Sequence, residues 1–166
     1  AATPASAEPA ETPVEPAGPA CLAEAEALPL ETRVGQLFMM GVDTAGLTET
    51  ARQAIASGRI GSVVLLGNST AGSMEIRQLT AHLGSLGTAD VPLLVAVDQE
   101  GGSVQRLKGT GFSTMPSARV QGEDSVEELL ASATTWAEEL AAAGVVYNLA
   151  PVADVVPVAK RMTNAP

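Results

Sequence analysis

Hydrophobic and polar residues are grouped along the chain in blocks that predict strands alternating with helices. Four short runs, apolar at nearly every position and bounded by Gly, Asp or Asn, are predicted to be strands: 37–42, 61–66, 93–97 and 145–149. Runs that are apolar throughout, rather than at every second position, are typical of parallel strands covered on both faces. The pattern therefore predicts a parallel sheet packed between layers of other elements.

Helical patterns separate these runs. Three helices are predicted, over 49–57, about 72–86 and about 125–143. The last begins with a capping-box pattern, in which Ser125 is followed three residues later by Glu128. The segment 22–36 also has helical composition, but Pro29 divides it into two short pieces.

Two architectures fit this α/β order, a small doubly wound sheet and the first half of a (β/α)8 barrel of the TIM type. A complete barrel needs about 250 residues, whereas this chain has 166 and four predicted strands. No helix is predicted after the fourth strand. We therefore expect the chain to be truncated at its C-terminus, with the rest of the fold following residue 166.

The N-terminal segment differs from the rest of the chain. Residues 1–20 are almost wholly Ala, Pro, Glu and Thr, which is too little apolar surface to offset the entropy of ordering. We expect a disordered linker over 1–20 and a folded body over 21–166. Such a tether is typical of exported proteins, so we expect an extracellular or cell-envelope location, with the cytoplasm as the alternative. Cys21, the only cysteine, is either free or pairs outside this chain.

Composition argues against several classes of function. A net charge of −10 cannot neutralise a row of phosphates, so nucleic acid is not an expected partner. No apolar run reaches the length of a membrane span. His82, the single histidine, lies in a helical pattern whose polar face is predicted to be solvated, and there is no cysteine cluster. We therefore expect no metal site, no cofactor and no serine-hydrolase triad.

Candidate chemistry lies where the predicted strands end, because parallel strands bring their carboxyl ends to one rim. Asp98 follows an apolar strand directly, Glu100 comes two residues later, and a Gly pair follows. In extended geometry the two acids would be roughly 6–7 Å apart, which permits a catalytic acid–base pair. A turn, or the orientation of a ligand, is the alternative. Arg106 could pair with either acid or bind a ligand.

Three segments together resemble the N-terminal barrel of glycoside hydrolase family 3, in its bacterial β-N-acetylhexosaminidase branch. They are VGQLFMMGVD (34–43), LVAVDQEGGSVQRL (94–107) and NLAPVADV (148–155), and the resemblance covers about 28–166. It implies a (β/α)8 barrel, of which this chain would hold about the first half. It also implies retaining hydrolysis of glycans that contain N-acetylglucosamine, either cell-wall muropeptides or chitin-type oligosaccharides.

Residue by residue, the resemblance assigns sugar binding to the end of the third strand. Asp98 matches the family's ligand for sugar hydroxyls and Arg106 its supporting basic residue, with Glu100 as part of the same shell; Asp154 falls at the rim. The family's acid–base His lies on a loop with a Lys-His-Phe-Pro-Gly-His-Gly pattern, and the nucleophilic Asp comes later. This sequence contains neither. We therefore expect no catalytic residue within this chain and no activity from it alone.

Three other functions stay open at this point. A β-glucosidase or β-xylosidase of the same family is one, although the DQEGG sequence favours the acetamido-sugar branch. A non-catalytic sugar-binding module is the second, and an unrelated doubly wound domain is the third. The oligomeric state is not predicted, although a half barrel would leave its first and fourth strands as exposed edges prone to association.

Overall fold

The computed structural model describes residues 19–88 and 91–154, without the side chains of 19–21. The predicted linker lies outside the described residues except for its last two positions, and Val155 at the end of the NLAPVADV segment lies outside them too. The first elements are two short helices, α1 (Pro19–Ala27) and α2 (Leu30–Gly35). Pro29 separates them, as predicted, because its ring fixes a φ of −53° suited to the start of α2.

Strands and helices then alternate in the predicted order. The remaining helices are α3 (Glu49–Ala56), α4 (Ser73–Leu86), the short α5 (Ala118–Gln121) and α6 (Val126–Ala142). The strands are β1 (Met39–Asp43), β2 (Ser62–Leu66), β3 (Leu94–Val97), β4 (Gln99–Gly101), β5 (Val104–Gln105) and β6 (Tyr147–Asn148). The predicted capping box at the start of α6 is present in both directions between Ser125 and Glu128. No helix among the described residues is long and apolar enough to cross a membrane.

Four strands form one parallel sheet in the order β1-β2-β3-β6. Neighbouring strands in the sheet are thus successive along the main βα path, without the reversal of order that a doubly wound sheet requires. The crossover helices contact one another in the same succession, α3 against α4 and α4 against α6. A sequential parallel sheet with one row of helices is the geometry of a (β/α)8 barrel wall, here about half of one.

The core lies between this sheet and its helices. Val63, Leu65 and Val97 on the strands are fully buried, together with Ile55 of α3 and Leu83 of α4. Aliphatic side chains supply this core, as the near absence of aromatic residues requires.

Among the described residues, β3 is buried on both faces, because the consecutive residues Val95, Ala96 and Val97 are all buried. The face opposite the helices is open at β1, β2 and β6, so the expectation that both faces are buried is wrong for these strands. Burial alternates along β1 and β2. Met39 and Leu66 are 39% and 44% exposed, and Tyr147 on β6 is 50% exposed. The apolar residues at these positions are the reason why the strands do not show an alternating sequence pattern. In a barrel such side chains fill the interior together with those of the other strands.

Candidate functional site

The carboxyl ends of the four parallel strands lie at one edge of the sheet. The register pairs Asp43 with Leu66, and Val97 with Asn148, so each polar residue that follows an apolar strand reaches the same rim. The Asp43 side chain stabilises a local turn, because its Oδ1 accepts the Ala45 N–H at 2.7 Å. The functional candidates at this rim therefore lie after β3.

Asp98 and Arg106 form an ion pair immediately beyond β3. An Arg106 terminal nitrogen lies 3.5 Å from Asp98 Oδ2, and the two side chains are 30% and 25% exposed. The antiparallel strands β4 and β5 return the chain and bring Arg106 back beside Asp98. Arg106 Nε is buried and has no acceptor among the described residues. The sequence left the partner of Arg106 open between the two acids, and the ion pair is with Asp98.

Glu100 contacts the same carboxylate. Burial, the negative charge of Asp98 and a hydrogen bond between the two carboxyl groups raise the pKa of Glu100, and Arg106 opposes this rise. Asp98 thus has a cation on one side and a second carboxyl on the other, an arrangement that suits the orientation of a ligand. We call Asp98, Glu100 and Arg106 the binding cluster.

Gln99 lies between the two acids and points the opposite way, into the core, where it is 2% exposed. Its Oε1 accepts the Leu107 N–H at 2.9 Å and its Nε2 donates to the Leu107 carbonyl at 3.0 Å. The side chain thus pairs with both backbone groups of the residue that follows Arg106. Sequence reasoning did not find this role. The available signal was an amide between two acids at the end of a buried strand.

Asn148, at the end of β6, holds the backbone of Gln99. Its Oδ1 accepts the Gln99 N–H at 3.0 Å and its Nδ2 donates to the Gln99 carbonyl at 3.0 Å. The sequence alone gives Asn148 no partner. No pattern in the sequence joins two residues 49 positions apart, so this contact required the structure.

The loop after β2 supports the binding cluster from the other side. The Ser69 N–H donates to the Arg106 carbonyl at 2.8 Å, and the Lys108 N–H donates to the Ser69 carbonyl at 2.8 Å. Farther along, the Gln105 side chain bonds the Ser113 carbonyl and the Met115 N–H. Arg106 therefore lies on a loop that is bonded to its neighbours on both flanks.

Gly101 and Gly102 have positive φ angles of 97° and 58°. A Cβ at Gly101 would collide with the carbonyl of Pro116, and one at Gly102 would press on Ser117. A Gly pair lacks side chains and so can let a ligand approach the backbone. The close neighbour here is instead the chain itself, which packs over the turn on its way to α5.

A cavity of about 280 Å³ lies beside the binding cluster. Gln99, Glu100 and Asn148 form its polar side. Apolar residues of the loop before α5, of α6 and of the segment after β6 form the rest, among them Met115, Leu129, Trp136, Leu140 and Val152. Glu100 thus lies between the ion pair and the largely apolar cavity, which accounts for the desolvation that raises its pKa.

The other candidates lie apart from the cluster. His82 is exposed on α4, as its position in the helical pattern predicted. Asp154 is exposed, and no contact with the other described residues defines a role for it. Among residues 19–88 and 91–154, no group of three or more His, Cys, Asp or Glu side chains is arranged to hold a metal ion.

Comparison with known proteins places this geometry in a family. The model of the N-terminal domain of glycosyl hydrolase family 3 matches residues 29–163. A β-hexosaminidase of Alkalilimnicola ehrlichii is 36% identical over 124 residues, which make up 70% of this chain and 35% of that protein. One from Nitrosomonas eutropha is 38% identical over 124 residues, with the same coverage. The chain thus spans about a third of the length of the curated relatives it matches.

Solved structures give the same result. A β-N-acetylhexosaminidase from Beutenbergia cavernae has a TM-score of 0.74 and 48% identity, over 78% of this chain and 39% of that one. A family 3 β-N-acetylglucosaminidase from a Paenibacillus species has a TM-score of 0.66 and 33% identity, over 75% of this chain and 24% of that one. The sequence resemblance to family 3 and the predicted barrel fold are both confirmed.

Proposed function

The chain belongs to glycoside hydrolase family 3, and on that premise we propose that it forms the sugar-holding part of a β-N-acetylhexosaminidase active site. The observation that carries the proposal is the Asp98–Arg106 ion pair at the carboxyl end of β3, with Glu100 beside the same carboxylate. Active sites of (β/α)8 barrels lie at this end of the strands.

The chemistry of the binding cluster suits a sugar. A carboxylate accepts hydrogen bonds from two neighbouring hydroxyls, and a guanidinium donates to sugar oxygens through a rigid fork. Asp98 is only one quarter exposed, so its charge is partly desolvated and a hydrogen bond to it is stronger than one in water. The buried Nε of Arg106 adds a donor that has no partner among the described residues.

The binding cluster is proposed to hold the sugar without cleaving it. Asp98 is paired with Arg106, as suits a residue that orients a sugar. The sequence also lacks the Lys-His-Phe-Pro-Gly-His-Gly pattern and the later Asp that supply the acid–base and nucleophile in this branch. We propose that these two groups lie after residue 166 in a longer protein, and that the 166-residue chain alone does not turn substrate over.

An acetamido sugar is the proposed substrate class. The relatives from A. ehrlichii and B. cavernae carry hexosaminidase names, and this chain has the DQEGG sequence directly after β3. A β-glucosidase or β-xylosidase of the same family is the second candidate. The largely apolar cavity beside Glu100 could accept the methyl group of an acetamido substituent, which a glucoside lacks.

Hydrolysis of fluorogenic substrates tests both points. The 166-residue chain should release no 4-methylumbelliferone from the N-acetyl-β-glucosaminide. A longer protein that contains this chain should release it, and should act much more slowly on the matching β-glucoside and β-xyloside. Turnover by the 166-residue chain would show that its own residues carry the chemistry. Preference of the longer protein for the glucoside would favour the second candidate.

The natural substrate is proposed to be a cell-wall muropeptide or a chitin-type oligosaccharide outside the cytoplasm. The Ala-, Pro-, Glu- and Thr-rich N-terminal segment supports export, and both polymers contain N-acetylglucosamine. The longer protein that contains this chain can be incubated with purified muropeptides and with chitobiose. Comparing the release of N-acetylglucosamine from each would distinguish the two substrates. Release from neither would refute this part of the proposal.

A further inference from the structure

We propose that Asn148 is a positioning residue for the binding cluster, acting through Gln99 on the backbone that carries Asp98, Glu100 and Arg106. The inference rests on the proposed function, because it assigns a purpose to the geometry of a sugar-holding site. Asn148 itself is not placed in contact with substrate.

The first step runs from Asn148 to the backbone around Asp98. The Leu149 N–H donates to the Val97 carbonyl at 2.9 Å, which is the last ordinary ladder bond between β6 and β3. The Asn148 side chain then bonds both the N–H and the carbonyl of Gln99, each at 3.0 Å. The backbone is therefore held on both sides of Asp98, at Val97 and at Gln99. A carboxamide that pairs with both the N–H and the carbonyl of one residue in this way extends the parallel ladder beyond the end of the strand.

The second step runs from Gln99 to the backbone beside Arg106. Asn148 holds the backbone N–H and carbonyl of Gln99. The buried Gln99 side chain in turn bonds the backbone N–H and carbonyl of Leu107. Arg106 precedes Leu107 and is held at its carbonyl by the Ser69 N–H. These contacts form a relay of two side-chain amides, in which Asn148 holds Gln99 and Gln99 holds Leu107. Each of the two held residues is next to a member of the binding cluster in the sequence.

The relay fixes direction as well as position. Gln99 points into the core, so its neighbours Asp98 and Glu100 both project to the opposite side of the strand. Rotation about the backbone of Gln99 would move these two carboxyls relative to each other. A single hydrogen bond leaves that rotation free, whereas bonds to both the N–H and the carbonyl of Gln99 restrict it. The relative placement of the Asp98 and Glu100 side chains therefore depends on Asn148.

The test compares Asn148→Ala with Thr80→Val as a matched control. Thr80 Oγ1 donates to the Ala143 carbonyl at 2.7 Å, a buried contact between α4 and the residue after α6. Ala143 precedes β6, so this bond lies toward the amino ends of the strands, away from the binding cluster. Both variants lose a long-range bond from a side chain to the backbone, and both should lower the midpoint of thermal unfolding. A purely structural role for Asn148 predicts that the two variants behave alike in every other respect.

Two readouts separate positioning from stability, both measured on folded protein below the unfolding midpoint. The first is the titration of the Glu100 carboxyl carbon by NMR. In Asn148→Ala the pKa of Glu100 should fall toward its ordinary value of 4.5, because Asp98 no longer faces it; in Thr80→Val it should equal that of the wild type. The second is the affinity for N-acetylglucosamine, which should fall about tenfold in Asn148→Ala and stay unchanged in the control.

An unchanged Glu100 titration in Asn148→Ala would overturn the proposal. If Asn148→Ala does not fold, Asn148→Ser replaces it, since the shorter side chain cannot span both Gln99 groups; loss of the fold in both would assign Asn148 a structural role instead. Absence of sugar binding by the wild type would count against the proposed function alone. The Glu100 titration needs no sugar and would still decide the role of Asn148.

Discussion

Replacement of Gly101 by Ala tests how tightly the turn after Asp98 is packed. Gly101 has a φ of 97°, a conformation that L residues adopt at a cost of roughly 1–2 kcal/mol. The new Cβ would also meet the Pro116 carbonyl. That carbonyl is a backbone atom fixed by a 2.6 Å bond from Gln121 Nε2, and the adjacent Met115 carbonyl accepts the Gly102 N–H at 2.9 Å. It therefore cannot move aside at little cost.

The magnitude follows from these two terms. Crowding in a packed region costs typically about 1–3 kcal/mol, so Gly101→Ala should lower the free energy of unfolding by about 2–5 kcal/mol in total. That is a large share of the roughly 5–15 kcal/mol of a typical domain. The matched control is Gly84→Ala in α4, where a Cβ meets nothing within 4 Å. Because Ala is the better helix former, this change should raise stability by about 0.5–1 kcal/mol.

Urea unfolding followed by far-ultraviolet circular dichroism measures both variants. The same chemical change should thus give opposite shifts of the midpoint, at an unchanged slope. If Gly101→Ala stays within about 0.5 kcal/mol of the wild type while Gly84→Ala is stabilised, the turn is not packed as described. The reason given for the Gly pair would then be wrong.

Three further predictions concern pH, helix capping and association. Because the pKa of Glu100 is raised in the fold, its charged form destabilises the native state, and that part of the stability is lost as pH rises above the ordinary value of 4.5. Glu100→Gln should therefore gain stability over the wild type between pH 4.5 and neutrality, measured by urea midpoints. Glu49→Gln should instead lose stability relative to the wild type at neutral pH. The hydrogen bond from Arg52 lowers the pKa of Glu49 to about 2, so the resulting stability is present at neutral pH and lost as pH falls below 4.5. Ser125→Ala should lower the free energy of unfolding by about 1 kcal/mol, because it removes the capping box of α6. Thr134→Ala within that helix should leave the free energy of unfolding unchanged; equal effects would refute the assigned cap. The open apolar face and the edge strand β6 predict concentration-dependent association in light scattering, reduced by Tyr147→Lys; a monomer at every concentration would contradict this.

The sequence predicted the order of elements and the rim well, because both depend on local signals. Apolar runs located the four strands of the sheet, Pro29 located the break between α1 and α2, and Ser125 located the start of α6. The position of Asp98 at the carboxyl end of β3 followed from the abrupt end of an apolar run. These features need no knowledge of which strands are neighbours.

The contacts that fix the site could not be predicted in the same way. The Asn148–Gln99 clamp joins residues 49 positions apart, and it depends on β6 pairing with β3. The approach of Arg106 to Asp98 depends on the pairing of β4 with β5, which no local pattern revealed. Burial of both faces of the sheet was expected from the continuously apolar runs, yet among the described residues β1, β2 and β6 have one exposed face. In each case the missing information was a neighbour distant in sequence.

Asp98 and Arg106 are proposed to hold an N-acetylhexosamine, and an NMR titration of the labelled 166-residue chain with N-acetylglucosamine tests this role directly. Saturable shifts are expected for the amides of residues 98–107 and for the Arg106 Nε–H, and Asp98→Asn should abolish them. Asp43→Asn is the matched control, because Asn can also accept the Ala45 N–H and keep that turn, so its titration should equal that of the wild type. Shifts located elsewhere, or a response that Asp98→Asn leaves unchanged, would contradict the account.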